Sequence, residues 1–455
     1  MTYADFLARR TQLGGDYGFD PGDLPAFLFE FQRDLVQWAI RKGRAAIFAD
    51  CGLGKTPMEL VWADLVHHHT GRPVLLVTPL AVAYQTEAEA AKFGIEAAIS
   101  RNGRPAAPIS VTNYDRLHLF DSSQYIGVIC DESSAIKAFD GARRALVTEF
   151  LRPLPYRLLA TATAAPNDYI ELGTSSEALG ELGYMDMLTR FFVNEQRNAS
   201  TGRGYLGQRN AWRFKGHAEQ PFWRWVASWA RAMRRPSDFG HRDDGFVLPE
   251  LVQREHVVKA SRPPDDALFD VPATNLQEER EETRRTLTER CEAAAELLAG
   301  CEHGIAWCQL NDEGDLLTKL IDGAVQVKGS DSVDAKEDAL AAFSRGDIRV
   351  LVTKPSIAGW GLNWQHCRAM TFFPSHSYEQ YYQAVRRCWR YGQTQPVTVD
   401  IVTTEGGARV LANLQRKARA ADAMFDALVA HMRDAATIRR TVDYPHPVEV
   451  PAWAS

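Results

Sequence analysis

The run Ala49-Asp50-Cys51-Gly52-Leu53-Gly54-Lys55-Thr56 sets glycine, lysine and threonine in the order that wraps a phosphate chain. The glycines let backbone N–H groups turn inward around phosphate oxygens, and a helix that follows adds the positive end of its dipole. Gly52, Leu53, Gly54, Lys55 and Thr56 are the candidate ATP-binding residues, with Lys55 reaching the β/γ-phosphates and Thr56 ligating Mg²⁺. Ala49 stands where the simplest pattern has its first glycine, but the G-x-G-K-T core is intact. Further along, the apolar run Ile126–Cys130 leads into Asp131-Glu132, acidic residues at a strand's C-terminal end, where open α/β sheets put their sites. One carboxylate, Asp131, can hold Mg²⁺ while Glu132 orients and deprotonates water. An isolated D-E pair is usually just a turn; behind a phosphate loop it completes a nucleoside-triphosphatase signature. The third group is Gln383-Ala-Val-Arg386-Arg387-Cys-Trp-Arg390-Tyr-Gly392-Gln393. If helical, it puts Arg387 and Arg390 on one face, able to grip a γ-phosphate across a cleft as an arginine finger contributing roughly 10³–10⁵ in rate. By itself the segment reads as a solvated basic helix.

Two α/β lobes are expected to hold these groups. Short apolar, β-branched runs at Ala45–Ala49, Val74–Thr78, Ile109–Thr112, Ile126–Cys130 and Arg157–Ala160 alternate with helical stretches, the pattern of a parallel sheet covered on both faces. The pattern lapses after about Tyr184 and resumes at Gly304–Gln309, Ala324–Lys328, Arg349–Thr353, Ala369–Phe373 and Val397–Val402. The expected organisation is lobe one over 1–185, a helical, basic joining segment over 186–250, lobe two over 251–435 and a tail over 436–455. Between Arg190 and Arg242 eleven basic residues face three acidic ones, a local charge of +8, interleaved with Trp212, Phe214, Trp223, Trp225 and Trp229. Such a composition suits phosphate contacts beside stacking surfaces. It equally suits tryptophans packing a helical subdomain whose arginines form the solvated face. The stretch from Ser261 reads as an irregular connector, and apolar residues from Val410 to Met432 recur at helical spacing, predicting a terminal helix docked on a lobe.

With 455 residues, 24% charged and 45% hydrophobic, the chain has room for two or three folded units and fits neither disordered nor membrane classes. The net charge of −6 argues against a protein that coats nucleic acid by bulk charge, while leaving a local basic track open. Seven scattered cysteines without a C-x-x-C pair suggest reduced thiols and a cytoplasmic location. Charges interrupt the N-terminal stretch where a signal peptide needs its apolar run, so neither secretion nor membrane insertion is expected.

From about Phe31 to Thr403 the sequence resembles superfamily 2 helicases, and among them the Swi/Snf-type ATP-dependent translocases of compact bacterial or phage kind. Besides the three groups above, Phe31-Gln32 resembles the family's adenine-side glutamine element, which implies that Gln32 contacts the base. Leu75-Leu-Val-Thr-Pro79-Leu80 and Val111-Thr-Asn-Tyr114-Asp resemble segments that imply nucleic-acid contacts by Pro79 and Tyr114. Leu159-Ala-Thr161-Ala-Thr163-Ala-Ala-Pro166-Asn167 and Ala358-Gly359-Trp-Gly361-Leu-Asn363 resemble the motifs that couple hydrolysis to lobe movement, implicating Thr161, Thr163, Gly361 and Asn363. The match through Gln383 implies an ATP-site role for that residue, with Arg390 as the finger and Arg387 beside it. Ser134 departs from the histidine usual in the D-E motif, and Arg386 from the acidic residue usual before the first finger arginine.

The resemblance implies two RecA-like doubly wound lobes, ATP and Mg²⁺ as cofactors, and a DNA-dependent ATPase moving along DNA, duplex for preference. Alternatives are an RNA-directed helicase, a nucleotide-gated DNA-binding switch without motor activity, and a subunit of a defence system. Partners would be nucleic acid and phage or bacterial replication, recombination or defence proteins. Arg234 and Arg235 are the candidate nucleic-acid contacts of the joining segment.

Overall fold

A computed structural model of the chain describes residues 17–79, 82–136, 141–165, 169–194, 212–261, 275–358 and 363–435. Lobe one contains β1 (Arg44–Ala49), β2 (Val74–Thr78), β3 (Ala97–Ile99), β4 (Ile109–Asn113), β5 (Gly127–Asp131) and β6 (Tyr156–Ala160). The joining region contributes a small antiparallel ribbon, β7 (Phe192–Asn194) with β8 (Trp212–Phe214), and then β9 (Ala230–Met233). Lobe two contains β10 (Leu251–Val258), β11 (Gly304–Trp307), β12 (Ala324–Val327), β13 (Val350–Thr353), β14 (Ala369–Phe372) and β15 (Val397–Thr404). The sheet orders are β3-β4-β2-β5-β6-β1-β9 and β10-β15-β14-β11-β13-β12, with every pairing in both parallel. These are the two doubly wound lobes expected from the alternation of apolar runs and helices.

Alternation within a strand sends successive side chains to opposite faces. On β1, Ala46 and Phe48 join one buried cluster with Leu75, Val77 and Leu159. Ala45, Ile47 and Ala49 join the other, beneath the helices Glu30–Lys42 and Lys55–Thr70. A strand buried on both faces has no use for polar residues, which is why β1 reads as an unbroken apolar run after Arg44.

In the two large sheets, three strands lie outside the expected set. β9, inside the expected joining segment, pairs with β1 from Ala46↔Ala230 to Ala49↔Met233 and is the seventh strand of lobe one. β10 pairs along its whole length with β15, and β3 is a three-residue edge. The joining segment's tryptophans are mainly core. Trp223 and Trp229 are fully buried, and Phe191, Phe192, Phe214 and Phe222 form ring contacts with one another and with Trp225. Burying one such ring removes on the order of 200 Å² from water, about 5 kcal/mol at about 25 cal/mol per Å².

The terminal helix, Ala408–Ala435, docks on both lobes. Leu411 and Leu414 belong to the core of lobe two, whereas Met424, Phe425 and Leu428 belong to the cluster of lobe one that holds Trp229 and Ala230. Among the described residues no helix is long and apolar enough to cross a membrane.

Candidate nucleotide site

Adjacent parallel strands gather the lobe-one residues. In the order β5-β6-β1, the C-terminal ends of the strands deliver Asp131, Thr161 and the phosphate loop to one edge of the sheet. Gly52 and Gly54 have φ of +92° and +72°, and each also meets a close neighbour. A Cβ on Gly54 would lie 2.4 Å from Gln32 Nε2, and one on Gly52 would lie 2.7 Å from the Tyr391 backbone nitrogen of lobe two. The helix Lys55–Thr70 starts directly from Gly54, aiming its N-terminal N–H groups at the loop. Lys55 Nζ donates to Ala49 O at 3.0 Å. Burial acts to lower the Lys55 pKa, but Cys51, Glu132, Asp131 and Glu59 outweigh it and raise the pKa.

Gln32 ties the first helix to this loop: its Nε2 donates to Leu53 O at 2.9 Å and its Oε1 accepts from Phe29 N at 3.0 Å. The amide expected to read the base therefore also pins the phosphate loop.

Glu132 has φ +48°, the one positive value at a non-glycine residue among those described, a conformation costing on the order of 1–3 kcal/mol. Its N–H donates to Asp131 Oδ1 at 2.8 Å, and its Oε2 accepts from Thr161 Oγ1 at 3.1 Å. Thr161 Oγ1 in turn accepts from Thr163 N at 3.0 Å. The strained turn thus aims the candidate base at the threonine motif expected to carry coupling. Burial and neighbouring Glu132 push the Asp131 carboxyl above the usual carboxylate range, with Lys55 opposing.

The donor set fits Mg²⁺. Thr56 at the helix start and Asp131 at a strand end offer hard oxygen ligands, and a buried carboxylate held above its ordinary pKa is one that a divalent cation would stabilise in its charged form. No group of three or more His, Cys, Asp or Glu that could hold a metal occurs among the described residues. Mg²⁺ does not require one, since it is usually held by one or two carboxylates together with substrate phosphates and water.

Lobe two reaches this edge through the helix Tyr378–Val385 and the turns after it. The helical condition for placing both arginines on one face is not met: regular helix stops at Val385, and Arg387 and Arg390 sit in the turn and bend that follow. Gln383, buried at 1% exposure, accepts from Arg387 Nε through its backbone oxygen and from Nη2 through Oε1, both at 3.1 Å, so it orients the arginine. Burial first, and Arg387 second, push the Arg390 guanidinium down to about 10. Gln393 Nε2 donates to three backbone carbonyls, at Gln365, Cys367 and Cys388, and secures the turn.

Two residues not proposed from sequence complete the contact between lobes. Asp50, in the phosphate loop, pairs with Arg386 and accepts a hydrogen bond from the Tyr382 hydroxyl. The available signal was Arg386 itself, a basic residue where an acidic one is usual.

The expected nucleic-acid contacts Pro79, Tyr114, Arg234 and Arg235 and the lobe-two coupling residues Gly361 and Asn363 are dispersed. Pro79 lies partly exposed just after β2 and Asn363 is exposed. Gly361 lies outside the described residues, as do 359–362 around it. Tyr114 is 5% exposed and its hydroxyl donates to Asp131 O at 2.7 Å, so its ring supports the carboxylate strand from within and is not a surface group. Arg234 is engaged by the terminal helix, pairing with Asp422 at 2.9 Å and Asp426 at 3.2 Å and lying over Phe425. Arg235 is exposed, with Asp238 3.8 Å away.

No family model and no curated protein matches the chain. Solved structures do. S. cerevisiae Dbp5 bound to RNA and ADP BeF3 superposes with a TM-score of 0.54 at 13% identity, over 89% of this chain and 93% of that one. The Sulfolobus solfataricus SWI2/SNF2 ATPase core in complex with dsDNA aligns with a TM-score of 0.42 at 16% identity, over 92% of this chain and 97% of that one. The chain shares with the Dbp5 structure a fold of two lobes, each built on a parallel α/β sheet.

Proposed function

We propose that this protein is an ATP-driven nucleic-acid motor, hydrolysing ATP between the two lobes and moving along DNA, most readily duplex DNA. The observation that carries the reading is the Glu132–Thr161 bond at the edge of lobe one, opposite the segment of lobe two that bears Arg387 and Arg390. ATP binds with its phosphates in the loop Gly52–Thr56, against Lys55, and Gln32 fixes that loop from behind. Thr56 and Asp131 would hold Mg²⁺, which supplies charge neutralisation at the phosphates when bound. Glu132 orients and deprotonates the attacking water, and Arg387 and Arg390 stabilise charge developing on the γ-phosphate. Because Thr161 binds the same carboxylate that handles water, a shift of the Thr161–Thr163 turn with lobe movement alters the alignment of the base. Hydrolysis and release then open and close the cleft, moving two nucleic-acid contacts past each other.

The preference for duplex DNA rests on the Swi/Snf-type motifs of the sequence. An RNA track is the second reading, favoured by the structural likeness to a protein bound to RNA. ATP turnover measured with duplex DNA, single-stranded DNA and RNA separates the two: duplex stimulation above the others supports the first, and stimulation by RNA alone overturns it. A protein that binds DNA in an ATP-dependent manner but displaces no triplex strand is a switch and not a motor.

A further inference from the structure

The contact between Asp50 and Arg386 joins residues 336 positions apart, from opposite lobes, with side chains only 11% and 9% exposed. On the lobe-one side Asp50 is fixed by its own backbone: its N–H donates to Met233 O at 2.9 Å, and its Oδ1 accepts from Cys51 N at 2.6 Å. From lobe two, Arg386 Nη2 donates to Oδ2 at 2.6 Å and the Tyr382 hydroxyl donates to Oδ1. The guanidinium is also braced by aromatic faces, 4.3 Å from the Trp389 centroid and 5.1 Å from that of Tyr382. Burial acts to lower the Arg386 pKa, and Asp50 and Tyr382 more than reverse that, so the guanidinium keeps its charge.

A charge pair this enclosed is tolerated only while both partners are present, because either one alone is a buried, uncompensated charge. It also lies at a critical place. Arg386 precedes Arg387 directly and stands four residues before Arg390, so whatever fixes Arg386 fixes where both finger arginines meet the phosphate loop. The carboxylate, for its part, lies in a loop that must receive a polyanion, and Arg386 cancels its charge there.

We propose that Arg386, paired with Asp50 and supported by Tyr382, is a positioning residue that docks the finger-bearing segment of lobe two onto the phosphate loop of lobe one. The inference rests on the ATPase reading above and adds to it a bond by which the lobes register each other directly.

The test is a double-mutant cycle in the full chain, using Asp50→Asn, Arg386→Gln and both together, with Arg386→Lys as the conservative variant. Each single change is expected to lower kcat roughly 30- to 100-fold with KM for ATP changed less than about threefold, and the double variant to be no worse than the worse single. Arg386→Lys is expected to recover part of the loss. Losses that multiply in the double variant overturn the proposal. The second measurement is the distance distribution between spin labels placed on the two lobes, with and without ATP. Arg386→Gln should broaden and lengthen it, and an unchanged distribution overturns the proposal. Should the unmodified chain hydrolyse no ATP, the motor reading fails, while the distance distributions still decide whether the pair docks the lobes.

Discussion

The cleft and the stretch 190–242 both set arginines beside aromatic rings, and they use them in opposite ways. In the stretch, Arg231, Lys215 and Arg234 serve the fold. Arg231 lies over Trp38 with its guanidinium on the carbonyls of Ala227 and Ala230, Lys215 Nζ donates to Thr189 O, and Arg234 grips the terminal helix. In the cleft, Arg386 pairs across lobes while Arg387 and Arg390 are held close enough that one lowers the pKa of the other. In the proposed function, an approaching polyphosphate relieves that repulsion. Density of charge thus does not by itself mark a binding site, and the site proposed here is marked instead by charges crowded together at a strand-end glycine loop.

Six substitutions break or sharpen this contrast. Lys55→Ala and Arg390→Ala should each reduce ATP turnover by about 10³-fold or more while leaving the thermal melt in place; turnover near wild type in either removes the cleft's side of the comparison. Trp223→Ala should cost about 3–5 kcal/mol in urea unfolding, as the loss of a fully buried ring. A stable Trp223→Ala protein with weakened nucleic-acid binding would instead make the stretch a stacking platform. Thr161→Ala removes one hydrogen bond to Glu132, about 1–1.5 kcal/mol, and should lower kcat roughly tenfold with KM steady. The smallest effects separate two neighbours. Arg235→Ala should reduce the slope of log binding constant against log salt by about 1, and Arg234→Ala should leave that slope alone while costing up to about 1 kcal/mol of stability. Equal salt slopes for the two variants would show that the terminal helix does not withhold Arg234.

The cleft was legible because its chemistry is local. Gly52, Gly54, Lys55 and Thr56 are contiguous, Asp131-Glu132 ends an apolar run, and the strands carrying them are buried on both faces and read as unbroken hydrophobic stretches. β9 was hidden because Arg231 sits in its middle, carried by a cation–π contact that no spacing rule reveals. β10 was hidden because an edge strand half in solvent, Leu251-Val-Gln-Arg-Glu-His-Val-Val258, keeps no clean apolar face. The tryptophans left both readings open, since a ring that packs and a ring that stacks have the same sequence. Asp50 and Tyr382 escaped for a different reason: their partnership exists only once two lobes face each other, and Arg386 by itself showed merely a charge of unusual sign.

The terminal helix has a mechanical consequence. Two bodies joined by a single chain can turn about three axes. Here the polypeptide passes from lobe one to lobe two between β9 and β10, and the helix Ala408–Ala435 then returns from the core of lobe two to that of lobe one. A pair of rigid bodies attached at two points keeps one easy rotation, about the line through those points. The molecule is therefore built less like a ball joint than like a door on two hinges, with the Asp50–Arg386 contact as its catch.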